Sequence, residues 1–176
     1  MAFTFEVQDP DTPTETANAY ISVDELKDYC DGRGIDYSAK TDDEIEQAIV
    51  RATDYMDGRW TYAGYRYDSD QSTECPRRDV YDSYGYNVDG FPRAFILACC
   101  AYTVIDLIDG KTLMPNSQDN TAAGMIIKER KKVDEIEREY QYSENKGFQW
   151  PRWPLPDKFM RQSGLITSVR RTLGRG

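Results

Sequence analysis

The fold is decided by residues 91–110, FPRAFILACCAYTVIDLIDG. Pro92 suits the first position of a helix, and Asp109 followed by Gly110 suits its end. Large apolar side chains between these residues cover nearly the whole circumference of that helix, which is typical of an element surrounded by others. Burying each large apolar side chain contributes about 1.5–3 kcal/mol. We therefore expect this helix to be the buried centre of a small, mainly α-helical bundle.

Two helices upstream are indicated by capping boxes, in which a hydroxyl residue is followed three positions later by glutamate. Ser22 with Glu25 marks the start of the first helix, and Thr41 with Glu44 marks the start of the second. An apolar stripe with helical spacing follows the second start and ends before Gly58. Its members are Ile45, Ala48, Ile49, Ala52, Tyr55 and Met56. Both helices should pack against the central one.

A chain of 176 residues allows one domain with extensions. We expect an extended N-terminal arm over residues 1–19 and a helical domain with a hairpin over residues 20–149. An extended Pro-rich and basic arm should follow over residues 150–176. The reason for the last boundary is the segment WPRWPLP at 150–156, because three prolines in seven residues favour a polyproline-like path.

Residues 125–142 fit two secondary structures. As a helix, they offer only a sparse apolar stripe. As strands, residues 134–142 alternate between apolar or aromatic residues and acids, and the basic side chains of residues 128–132 would lie opposite the acids. We interpret this segment as a charged β-hairpin.

Charge is divided unevenly along the chain, whose formal net charge is -9. Residues 1–58 carry 15 acidic and 4 basic side chains, whereas residues 125–176 carry 7 acidic and 12 basic ones. An acidic body repels a nucleic-acid backbone, because duplex binding needs many Lys and Arg side chains to displace counterions. With 39% hydrophobic residues and a mean hydropathy of -0.74, part of the surface should serve interactions.

Composition also excludes several classes of active site. The chain has no histidine, which excludes Ser-His-Asp and Cys-His triads and histidine metal ligands. The acids at 42–46 complement a helix dipole, and the four cysteines lack CxxC spacing. Cys99 and Cys100 should be small core residues. We predict no enzymatic activity, no cofactor and no metal.

The longest apolar run is too short to cross a bilayer, and residues 1–11 lack signal-peptide character.

The segment 58–91 carries Trp60 and six tyrosines without a sustained period. It has three interpretations: packing over the helices, a subunit interface, where Tyr and Trp are enriched, or a stacking surface for single-stranded nucleic acid. The net charge of -2 over this segment disfavours the stacking surface. The candidates for a subunit interface are Trp60, Tyr62, Tyr65, Tyr67, Tyr81, Tyr84 and Tyr86.

The segment RQSGLITSVRRTLGRG at 161–176 combines a few apolar residues with arginines. It is either a solvated terminus or an arm that docks on an acidic partner. The candidate docking residues are Arg161, Leu165, Ile166, Arg170, Arg171 and Arg175.

Several of these pieces, taken in order, resemble one protein family. They are NAYISVDELKDYCDGRG (18–34), AIVRATDYMDGRW (48–60), CPRRDVYDSYGYNVDGFPRAFILACCAYTVID (75–106), IKERKKVDEIEREYQYS (127–143) and PDKFMRQSGLI (156–166). The set is similar to the head-tail connector proteins of tailed phages, also called adaptor or head-completion proteins. Members often carry the label of a DnaT-like single-stranded DNA-binding protein.

The resemblance implies a largely helical virion structural protein of the phage neck, made in the host bacterial cytoplasm. Copies would form a dodecameric ring between the portal protein and the tail or neck proteins. The ring would line the channel for passing double-stranded DNA, with no sequence-specific binding and no membrane partner. The C-terminal arm would then dock on the portal. The alternative from the family label is a replication accessory protein that binds single-stranded DNA.

Overall fold

A computed structural model describes residues 4–82, 84–114, 126–131, 138–142 and 150–167, with only the backbone described in the two strands of 126–142. Within these ranges the chain forms four helices and two strand pairs. The helices are α1 (Val23–Asp31), α2 (Asp42–Arg59), α3 (Arg93–Leu107) and α4 (Pro154–Gln162). The strands are β1 (Tyr65–Arg66), β2 (Arg77–Arg78), β3 (Ile126–Lys131) and β4 (Arg138–Tyr142). The predicted fold class, a small mainly α-helical bundle with a hairpin, is confirmed.

Two compact units divide the chain. The first contains the four helices and consists of Met1–Leu113 with Trp153–Gly176. The second, Met114–Arg152, contains the β3–β4 hairpin. The boundaries 1–19, 20–149 and 150–176 stay predictions.

The capping boxes begin α1 and α2 as predicted. The Ser22 Oγ accepts a hydrogen bond from the Glu25 backbone N–H at 3.2 Å, and the Glu25 carboxylate accepts from the Ser22 N–H at 2.7 Å. Thr41 and Glu44 repeat the arrangement at 3.3 and 2.9 Å. Losing such a cap typically costs about 1 kcal/mol. All six residues of the predicted apolar stripe on α2 are fully buried.

The α3 helix is the centre of the bundle and contacts α1, α2 and α4. Phe95, Cys99 and Tyr102 are fully buried. The Phe95 ring lies edge-to-face against Tyr20 with centroids 4.7 Å apart, a favourable geometry for aromatic pairs. Cys99 and Cys100 are buried free thiols, which confirms their prediction as core residues.

Residues 4–21 are extended and packed on the bundle. The Gln8 N–H donates to the Ala19 carbonyl at 2.8 Å, so the segment folds back on itself. The buried Gln8 side chain accepts from the Thr73 hydroxyl at 3.1 Å. Tyr20 and Ile21 reach the core. The predicted N-terminal arm is therefore docked along its described length.

The C-terminal segment departs from its prediction. The expected polyproline-like path is wrong from Pro154 onward, because α4 begins there. Prolines are tolerated in a first helical turn, since the N–H groups of that turn have no acceptor within the helix. The α4 helix packs against α3 and buries Asp157 and Met160, and Leu165 after it is fully buried. Apolar burial therefore decides the conformation of a Pro-rich stretch.

The β3–β4 pair confirms the hairpin interpretation of residues 125–142. The strands are antiparallel, with Lys128 opposite Gln141 and Arg130 opposite Glu139. These positions agree with the predicted opposition of a basic and an acidic strand. Lys131 lies opposite Arg138, and the register shifts between residues 126 and 128. Residues 125 and 132–137 of the prediction lie outside the described residues.

Candidate functional site

Two of the seven aromatic candidates for a subunit interface face the protein's own interior. Tyr62 is buried and lies beside Phe95, with ring centroids 6.4 Å apart. Trp60 is partly buried, and its indole N–H donates to the Tyr102 hydroxyl at 3.3 Å. The rings of these two residues pack within the bundle, and their place in a subunit interface stays a prediction.

The other five candidates are exposed, and we call them the exposed tyrosines. Their exposed fractions are 71% for Tyr65, 37% for Tyr67, 62% for Tyr81, 85% for Tyr84 and 73% for Tyr86. These five side chains are therefore the candidates for an interaction surface.

Tyr65 and Tyr67 are carried by the short β1–β2 hairpin, in which Tyr65 pairs with Arg78. Gly64 enters the hairpin at a φ of +64°, and a Cβ added there would lie 2.1 Å from the Arg78 carbonyl oxygen. Only glycine fits such a close approach in the left-handed region. The backbone at Gly64 therefore fixes the position from which Tyr65 and Tyr67 project.

Arginines surround the same hairpin. The Arg78 guanidinium lies 4.3 Å from the centroid of the Tyr67 ring and donates to the Tyr67 carbonyl. Arg66 and Arg77 both pair with Glu74, at 2.8 and 3.0 Å. Within the described parts of the chain, no carboxylate pairs with Arg78. The exposed Arg78 is thus a cation stacked on an aromatic face.

The remaining exposed tyrosines project from a tight turn formed by residues 81, 82 and 84–87. One carboxylate oxygen of Asp82 accepts the backbone N–H groups of Tyr84 at 2.8 Å and Tyr86 at 2.9 Å. The Asp82 N–H donates to the Tyr86 carbonyl at 2.9 Å, and Gly85 takes a φ of +86°. Asp and Gly are both common in turns, so the segment YDSYGYN, with Asp82 and Gly85, offered a turn signal in the sequence.

A carboxylate beneath these loops ties them to α2. The side chain of Asp57 accepts hydrogen bonds from the Tyr20 hydroxyl at 2.5 Å, the Tyr62 hydroxyl at 3.4 Å and the Glu74 backbone N–H at 3.0 Å. Burial raises the pKa of Asp57 to about 6, against the lowering effect of its hydrogen bonds from Tyr20 and Glu74. Sequence analysis missed Asp57, because its partners lie up to 37 residues away.

Replacing Asp57 with asparagine should change the pH dependence of stability. The folded protein holds a proton on Asp57 up to a pH of about 6, whereas an unfolded aspartate releases it near its ordinary pKa of 3.8. Between these values the native state binds more protons, so the wild type loses stability as pH rises from 4 to 7. The loss relative to Asp57→Asn should reach about 3 kcal/mol, measured by urea unfolding at each pH.

Asp43→Asn is the matched control. It removes one negative charge, as Asp57→Asn does, but the Asp43 carboxylate is exposed. Parallel stability curves for the wild type and Asp57→Asn across this pH range would contradict the assignment.

The predicted docking residues near the C-terminus are separated by the structure. Arg161 is exposed on α4. Leu165 is fully buried, and its carbonyl accepts the Ala63 N–H at 2.8 Å. Ile166 forms an antiparallel bridge with Tyr62. Leu165 and Ile166 thus both make contacts within the protomer. Arg170, Arg171 and Arg175 lie outside the described residues.

A buried ion pair anchors α4. The Arg59 Nη2 lies 2.5 Å from the Asp157 Oδ2, and both side chains are buried or nearly so. The Tyr102 hydroxyl donates to the other oxygen of Asp157 at 2.7 Å, and Arg59 also donates to the Tyr55 hydroxyl. Residues from α2, α3 and α4 therefore meet at one carboxylate, which fixes the helix that leads to residues 163–167.

Comparison with known proteins identifies the family. A protein-family model described as "Putative DnaT-like ssDNA binding protein" matches residues 3–169. The chain belongs to this DnaT-like family. No curated protein and no solved structure matches the chain. The family match spans both loops that carry the exposed tyrosines.

Membership in the DnaT-like family overturns the expected function. The description of the family names single-stranded DNA. The predictions of a phage head-tail connector, a dodecameric ring, portal and tail partners, and passage of double-stranded DNA are therefore wrong. The order of the motifs carried that resemblance, but a motif order does not reveal what a surface binds. The alternative, binding of single-stranded DNA, agrees better with the family.

Two features are absent from the described residues. No helix there has the length and apolar character that a membrane crossing needs. No three His, Cys, Asp or Glu side chains there are grouped as a metal site would require.

Proposed function

We propose that this protein is an accessory protein that binds single-stranded DNA, with bases stacking on the exposed tyrosines. The observation that carries the proposal is the exposure of five tyrosines on two tight loops in a member of this family. Stacking of a base on an aromatic side chain contributes about 1–3 kcal/mol and tolerates any sequence, because every base has a π face.

The local backbone supports stacking. A ring can stack on a base only if its face is not packed against its own protein. Gly64 in one loop and Asp82 in the other hold the backbone in tight turns that leave the tyrosine side chains exposed. Arg78 on the Tyr67 ring adds a guanidinium plane, which also stacks on bases and pairs with phosphate.

The charge of the loops favours single strands over duplexes. Residues 58–91 have a net charge of -2, so attraction to phosphates is weak there. Duplex DNA keeps its bases stacked inside and has the higher charge density, so its non-specific binding depends on cations. Single-stranded DNA offers unstacked bases to the tyrosines. We therefore expect preference for single strands.

Tyr84→Ala is the sharpest test, because Tyr84 is the most exposed of these side chains and its loss should leave the fold intact. In fluorescence anisotropy with a labelled oligo-dT of 20 nucleotides, we expect Kd to rise about 5- to 150-fold, which corresponds to 1–3 kcal/mol per stacked base. The matched control is Tyr37→Ala, because Tyr37 lies between α1 and α2, outside the tyrosine loops.

A wild type that does not bind the oligonucleotide would overturn the proposal. Equal affinity of Tyr84→Ala and the wild type would remove Tyr84 from the stacking surface, and the same result for Tyr65→Ala and Tyr86→Ala would overturn the role of the loops. Sedimentation of the same variants tests the prediction that the exposed tyrosines form a subunit interface. The absence of enzymatic activity, and the location in the virion or bacterial cytoplasm, stay predictions.

A further inference from the structure

The three arginines of the β1–β2 hairpin differ in their partners. The Arg66 Nη2 donates to the Glu74 Oε1 at 2.8 Å, and its Nη1 donates to the Gln71 carbonyl at 3.4 Å. The Arg77 Nη2 donates to the Glu74 Oε2 at 3.0 Å. Each oxygen of one carboxylate therefore holds one arginine, whereas Arg78 pairs with no carboxylate among the described residues.

The backbone around Glu74 fixes the place of its carboxylate. The Glu74 N–H donates to the Asp57 carboxylate at 3.0 Å, and the N–H of Cys75 donates to the hydroxyl of the buried Tyr20, also at 3.0 Å. A group tethered in this way acts at a much higher effective concentration than a phosphate of a dissolved strand. A phosphate must therefore displace a preorganised partner to reach Arg66.

We propose that Glu74 is a specificity-determining residue, which prevents Arg66 from binding phosphate and leaves Arg78 as the phosphate contact of the hairpin. This inference rests on the proposed function. Arg77 contributes in neither case, because only 11% of its side chain is exposed, against 38% for Arg66. With one arginine in contact, binding depends mainly on bases that are free to stack, so a duplex, whose bases are already stacked, gains little.

The salt dependence of binding reports the number of phosphate contacts. For each neutralised phosphate, the logarithm of the binding constant falls with the logarithm of salt concentration with a slope of about -0.7 for single strands and about -0.9 for duplexes. Glu74→Gln removes the charge of the carboxylate and frees Arg66, so the slope for a single strand should steepen by about 0.7. The variant should bind more tightly than the wild type at low salt, and its advantage should shrink about 3.5-fold between 50 and 300 mM salt.

The experiment measures the anisotropy of the labelled 20-nucleotide oligo-dT, and of a duplex of the same length, between 50 and 300 mM NaCl with full-length proteins. Glu74→Gln should gain affinity for both probes, with the larger change of slope for the duplex. Asp70→Asn is the matched control, because it removes one charge from the same loop, but Asp70 pairs with no arginine within the described ranges. It should keep the wild-type slope. Equal thermal melting of the proteins controls for folding.

Two arginine variants test the inference without a change at Glu74. Arg66→Gln should keep the wild-type slope, because Arg66 makes no phosphate contact that it could lose, whereas Arg78→Gln should flatten the slope by about 0.7. Combined with Glu74→Gln, Arg66→Gln should cancel the gain in affinity and in slope. Equal flattening by Arg66→Gln and Arg78→Gln in the otherwise unchanged protein would overturn the inference, because Glu74 would then not prevent the contact.

The remaining outcomes separate this inference from the proposed function. If Glu74→Gln has the wild-type affinity and slope while Tyr84→Ala still weakens binding, Glu74 does not restrict Arg66 and the stacking proposal stands. An equal gain for Asp70→Asn and Glu74→Gln would assign the effect to net charge, which would also overturn the inference. If the wild type does not bind oligo-dT, the proposed function itself fails, and the inference fails with it.

Discussion

Replacing Asp157 with alanine should lower the free energy of unfolding by about 3–5 kcal/mol, because it leaves the buried guanidinium of Arg59 without its counterion. Asp157 also accepts the hydroxyl of Tyr102, so the variant loses a second hydrogen bond in the interior. Because Asp157 joins α4 to α2 and α3, we expect the whole protein to unfold at a lower urea concentration in a single two-state transition. Urea unfolding followed by circular dichroism measures it.

The chain offers a matched ion pair as a control. Arg51 on α2 and Asp106 on α3 form a second ion pair, at 2.6 Å, in which half of the Arg51 side chain is exposed. Asp106→Ala should therefore cost no more than about 1 kcal/mol. The double variant Arg59→Met/Asp157→Leu should recover much of the loss, because apolar residues often replace a buried ion pair without penalty. Equal effects of Asp157→Ala and Asp106→Ala would contradict this account.

The second large effect is expected for Phe95→Ala, with a loss of about 3–5 kcal/mol. Phe95 is fully buried and contacts the rings of Tyr20, Tyr62 and Phe91, with centroids 4.7, 6.4 and 5.5 Å away. Alanine leaves a cavity that the surrounding rings cannot fill. The free energy of unfolding therefore falls both because less apolar surface is buried and because the cavity remains. Calorimetry or chemical unfolding gives the value.

Leu155→Ala is the comparison for Phe95→Ala, because Leu155 is 53% exposed on α4. It should change stability by no more than about 0.5 kcal/mol. A loss below about 1 kcal/mol for Phe95→Ala would show that α3 is not the centre of the bundle.

The fold was predictable where its signals are local. Ser22 and Thr41 mark the starts of α1 and α2 in the sequence, because a capping box involves residues only three positions apart. The α3 helix is evident from its apolar composition, and its observed start at Arg93 follows Pro92. These elements depend on neighbours in sequence, so a reading of the sequence finds them.

The C-terminal helix was not predictable for the opposite reason. Its prolines favour an extended path when considered alone, whereas its stability comes from Asp157 and Met160 packed against α2 and α3. The ion pair that fixes it joins residues 98 positions apart. A contact between residues so far apart produces no periodic pattern in the sequence.

The candidate site was predicted in part. The tyrosine-rich segment was recognised, but composition could not separate Tyr62, which packs on Phe95, from Tyr84, which points to solvent. Burial of each ring depends on which partner reaches it across the bundle. The net charge of -2 over residues 58–91 argued against stacking, because charge alone does not show which aromatic rings are exposed.

The pairing of residues 61–63 with 165–167 has a consequence for how the protein is made. The hydrogen bond between Thr61 and Thr167 closes a loop of 106 residues, and contacts of such long range slow folding because the entropy of closing the loop is lost before the contact forms. On the ribosome, the first three helices emerge long before their last partner. A nascent chain that stalls before residue 150 lacks the Asp157 partner of Arg59 and leaves the α3 face uncovered, and is a natural substrate for chaperones and proteases.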